Sequence, residues 1–81
     1  GAPRLPGPRQ RGQLDAAIRG VQQLRRNAPR AAQLPFVLGT LYFDKGWWSD
    51  GLAKYREAIT LGPSYRKNAR IQRDAIRALG E

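Results

Sequence analysis

The stretch that decides the fold runs from Ala32 to Tyr65 and reads AQLPFVLGTLYFDKGWWSDGLAKYREAITLGPSY. Within it Leu34, Val37, Leu38, Leu41 and Tyr42 recur at three- and four-residue spacing. That is the period of a helix with one apolar face, and it predicts a helix from about Ala32 to Lys45. Pro35 is compatible with this helix because it falls in the first turn, where no backbone N–H is needed. Gly46 ends it. Ser49 or Asp50 can cap the next helix, Leu52, Tyr55, Ala58, Ile59 and Leu61 form its buried stripe, and Gly62-Pro63 stops it.

Toward the N-terminus, Leu14, Ala17, Ile18, Val21 and Leu24 predict a further amphipathic helix from Gln13 to about Asn27, stopped by Pro29. Gly20 lies inside it, at a cost of about 1 kcal/mol relative to Ala, and marks either a close helix contact or a weak point. Toward the C-terminus, a last helix is expected after Ser64, with Tyr65, Ala69, Gln72, Ile76 and Leu79 as its apolar stripe, Ile71 and Ala75 flanking, and Gly80 at its end. No segment alternates with period two, so no sheet is expected. The fold class is all-α, three to four antiparallel helices in hairpins. Residues 1–11 read as a Pro/Gly-rich linker or tag-derived segment, dense in proline over residues 1–9, and residues 12–81 as the helical domain. Gly1-Ala2 and the lack of Met point to a piece of a longer protein.

The chain also repeats. Gly12 and Gly46 lie 34 residues apart, as do Pro29 and Pro63, and Arg11 to Ile18 aligns with Lys45 to Leu52. With Leu38-Gly39-x-x-Tyr42, then Gly46, a small residue at Gly51, the aromatic Tyr55, Ala58 and Pro63, the segment Ala32 to Tyr65 resembles a tetratricopeptide repeat (TPR). It follows the second half of another unit, Gly12 to Ala31. Two departures stand out: Pro35 occupies the place of the family's first large aromatic, and Gln72-Arg73 replaces the Leu-Gly pair of a following unit. The last helix therefore resembles the capping helix of such an array.

The resemblance implies a binding function, with a partner peptide or helix held in a concave groove lined by the first helix of each pair. Carried over by position, the groove residues are Gln33, Phe36, Thr40, Phe43 and Asp44, then Lys67, Arg70, Asp74 and Arg77. Phe36, Thr40, Phe43, Lys67, Arg70 and Arg77 are the expected partner contacts, and Trp47 at the helix turn is an exposed anchor beside them. Aromatics on one wall and cations on the other suit an acidic peptide or helix. Phe36 and Thr40 stand where the family's chaperone-binding carboxylate clamp needs Lys and Asn, so that ligand is rejected. The bland alternative is that Phe36 and Phe43 pack against the missing helix or the linker.

Composition bounds the rest. Eighty-one residues allow one small domain, and 15 Lys or Arg against 6 Asp or Glu give a net charge of +9. No Cys and no His leave no thiol or imidazole nucleophile and no soft metal site; the six carboxylates show no close pairing, so no enzyme, cofactor or metal is expected. The charge raises the alternative of nucleic-acid or other polyanion binding through Arg66, Arg70, Arg73 and Arg77, read as one stripe opposite the apolar face of the last helix. Twelve of the 15 cations are Arg, a bias that a GC-rich bacterial genome also produces, and a solvated outer face is the favoured explanation of the stripe. Nucleic acid is thus the lesser expectation. No apolar run spans a bilayer, and of the compartments the cytoplasm is slightly favoured. An N-terminal helix without its pair favours self-association unless Leu5 of the linker folds back over it. The parent protein is expected to be a signalling kinase, a secretion or envelope factor, or a regulator, and the sequence does not choose among them.

Overall fold

The computed structural model describes residues 4–80, and every described element is helical. In chain order these are α1 (Pro8–Asn27), α2 (Gln33–Lys45), α3 (Trp48–Leu61), a 3-10 helix (Pro63–Lys67) and α4 (Ala69–Gly80). Among the described residues no helix is long and apolar enough to cross a membrane.

α1 begins five residues before the expected Gln13. Pro8 occupies its first turn, where the missing N–H is no loss and the fixed φ suits a helix, and the Gly7 N–H donates to Gln10 Oε1 at 3.3 Å. Proline density therefore marks the entry to α1, and residues 8–11 leave the expected linker; residues 1–3 lie outside the described residues. The chain before α1 runs back across the molecule, since the Leu5 side chain lies against Gly46.

The α2–α3 hairpin follows the sequence closely. Gly46 adopts φ 85°, a left-handed conformation that glycine takes without strain. Its N–H donates to the Phe43 carbonyl and the Trp47 N–H to that of Tyr42, both at 2.9 Å, which satisfies the end of α2 as a Schellman motif does. The helices approach most closely where two glycines face each other. A side chain at Gly39 would collide with the Tyr55 ring and one at Gly51 with the Phe43 ring. Into the space thus shaped, Trp48, Phe43, Tyr55, Phe36 and Tyr65 pack as a continuous aromatic run, with successive ring centroids 5.9, 5.4, 6.1 and 5.1 Å apart. Ile71 of α4 closes this core. Ile18 and Leu38 are buried as well, whereas Leu24 on α1 remains exposed.

Candidate docking surface

α4 differs most from its expected form. Asn68 is extended (φ −67°, ψ 128°), and its side-chain oxygen accepts the Ile71 N–H at 3.0 Å, so it caps α4 and separates it from the 3-10 helix. A helical period counted from Tyr65 cannot run through such a residue. The buried positions are accordingly Ile71 and Asp74, with Ala75 and Ala78 half-buried, while Gln72, Ile76 and Leu79 of the expected stripe face outward. Ile76 is 70% and Leu79 86% exposed. The expected arginine stripe shortens to Arg70, Arg73 and Arg77, because Arg66 belongs to the 3-10 helix.

Asp74 fastens this helix to the hairpin. Its carboxylate is fully buried, and Oδ2 accepts the Tyr55 hydroxyl and the Arg70 Nε–H, each at 2.6 Å. Arg70 then reaches α2, where Nη2 donates to Asp44 Oδ1 at 2.9 Å and to the Thr40 carbonyl at 3.3 Å. Oδ1 of Asp74 has no hydrogen-bond donor and only the charge of Arg73 Nε, 3.6 Å away. Burial, reinforced by the bond to Asp74, pushes the Tyr55 phenol well above its ordinary range. For Arg70 burial works against the charge, but the hydrogen bonds to Asp74 and Asp44 prevail and raise its pKa.

This packing redistributes the residues assigned to a concave groove. Phe43 is buried between Trp48 and Tyr55, and Phe36 is partly covered by Tyr55 and Tyr65, so internal packing claims both aromatics. Asp74 and Arg70 form the network just described. Thr40 turns its hydroxyl to the Val37 carbonyl at 2.7 Å. Gln33, Asp44, Lys67 and Arg77 keep exposed side chains; Lys67 lies on the 3-10 helix, and Arg77 sits 5.5 Å from the Trp48 ring. Trp47 is half exposed, but its ring covers Lys45 Nζ at 3.7 Å and stacks on Tyr42, while Lys45 pairs with Asp15 of α1. Glu57 is likewise engaged, by Lys54 at 2.9 Å and Arg25 at 3.5 Å, and the hydrogen bond from Lys54 holds its carboxyl below the usual range.

The outward turn of α4 creates a surface that the sequence period concealed. Between α3 and α4 lies an open groove of about 420 Å³, floored by Leu52, Ile59, Ile71 and Ala75 and edged by Leu79. Arg56 and Arg66 are the charged residues that line it. Along α4, Ile71, Ala75 and Leu79 line this groove, Arg70 reaches the other way to α2, Arg77 lies near the Trp48 ring, and Ile76 and Arg73 are exposed on the outer face between them. The signal for this division was present in the sequence as Asn68, a capping residue three positions before Ile71.

No protein-family model, curated protein or solved structure matches the chain.

Proposed function

We propose that the chain is a protein-interaction module of the TPR type whose partner carries an acidic, partly apolar segment. The observation that carries this reading is Leu79, 86% exposed at the edge of the apolar groove lined by Arg56 and Arg66, with Ile76, 70% exposed, on the adjoining outer face of α4. Large apolar side chains grouped on a surface mark a contact site, and cations around them select the charge of what docks there. The likeness to a TPR is supported by Gly39 and Gly51 at the close approach, Gly46 at the turn, and Tyr55 and Ala58 buried between the helices. Of the residues expected on the concave side, Lys67 and Arg77 remain as exposed cations, but the two aromatics already serve the core.

Selection of peptides displayed at random against the immobilised chain tests the reading. Enrichment of sequences combining Asp or Glu with Leu, Ile or Phe, with association that slows as salt rises, is expected. A short DNA or RNA duplex should bind weakly and lose that binding at raised salt, since the exposed arginines offer phosphate contacts and no device for reading bases. Tight oligonucleotide binding that survives raised salt, with no peptide enriched, would replace this reading by polyanion binding.

A further inference from the structure

Resting on the reading of an acidic protein partner, we infer that the α3–α4 groove takes one amphipathic helix of that partner, laid alongside α3 and α4 as an added helix. Three observations select this occupant. First, both walls of the groove are helices, whose main-chain groups are bonded within themselves along their length. An extended peptide would bury N–H and C=O groups against walls that cannot answer them, whereas a helix brings its own bonds. Second, the apolar residues are spaced for a helix. Leu52 and Ile59 stand two turns apart on α3, and Ile71, Ala75 and Leu79 stand one turn apart on α4, so a facing stripe at three- and four-residue spacing can interdigitate with both rows. Third, the charged residues lining the groove are Arg56 and Arg66. Glutamates flanking the partner's stripe would meet them, while a second copy of this chain would bring a net charge of +9 against +9. The groove is also preformed, because the bonds of Asp74 to Tyr55 and Arg70 fix α4 before anything binds.

Two synthetic helical peptides test this, each about 16 residues long, enough to run beside the 14-residue α3, and each with the same leucine stripe. One carries Glu on both flanks of the stripe and the other Lys. Added to the isotope-labelled chain, the Glu peptide should shift the amides of Leu52, Ile59, Ala75, Ile76 and Leu79 and gain helicity on binding. The variant Leu79→Ser alters only an exposed side chain at the groove edge, keeps its helical circular dichroism, and should lose roughly tenfold in affinity for want of an apolar contact. Arg56→Glu with Arg66→Glu should turn the preference toward the Lys peptide. If the Glu peptide binds but its shifts gather on Lys67, Arg73, Arg77 and α2, the groove is not the site although the acidic-partner reading stands. Equal binding of both peptides, no binding of either, or a self-associated state that already covers Ile76 and Leu79 would each overturn the inference.

Discussion

Asp74 is the residue on which the arrangement of α4 turns. A fully buried carboxylate is tolerable only when charge and hydrogen bonds answer it, and Tyr55 and Arg70 do so from two directions. Tyr55→Phe keeps the aromatic packing and deletes one bond to a charged acceptor, at an expected cost of about 2 kcal/mol, which urea denaturation of the two proteins would measure. The same pair gives a pH signature. The Tyr55 pKa is raised in the folded chain above the ordinary value of about 10, so the phenol stabilises the fold fully below that pH and loses the contribution as pH rises above it. Stability followed through alkaline pH should therefore fall in the native chain and fall less in Tyr55→Phe, with the Tyr55 share of tyrosinate absorbance appearing only as the chain unfolds. Tyr55 as core was legible from its place in the α3 stripe. Asp74 was not, because a lone carboxylate on a basic helix reads as a surface group until its neighbours Ile71, Ala75 and Ala78 are known to face inward.

At the scale of elements, the sequence spoke most clearly where single residues punctuate it. Gly46 and Gly62-Pro63 bound α2 and α3 within a residue or two of their expected ends. The start of α1 was hidden because Pro8 both belongs to a proline-rich run and opens a helix, two roles that composition cannot separate. α4 was mis-phased because the 3-10 helix consumes five residues before Asn68 restarts the count, and a phase error moves the apolar stripe to the wrong flank. Gly20 offered two readings, and the structure chooses between them: a Cβ added there meets nothing within 4 Å. It is a weak point in α1 with no packing reason. Gly20→Ala should stabilise the chain by about 1 kcal/mol, visible as a raised thermal midpoint; a loss of stability would show that a contact crosses there.

For the whole molecule, all-α architecture and a basic surface were both readable from 81 residues, and the place where the charge acts was not. Folding engages several of the groups that the sequence offered as contacts: Phe43 in the core, Arg70 in the network with Asp74 and Asp44, Trp47 over the pair Lys45 and Asp15. What remains open is an asymmetric α4, apolar along the α3 groove through Ala75 and Leu79 and cationic on its outer face through Arg73 and Arg77, so the two faces make opposite claims about where a partner sits. Photo-crosslinking decides between them most directly. A benzophenone amino acid replacing Leu79 or, separately, Arg73 reports contact from one flank or the other, using the tightest acidic peptide recovered from display. Efficient capture from position 79 and little from position 73 is expected. Capture from position 73 with none from position 79 would contradict the groove assignment and move the site off the α3–α4 groove.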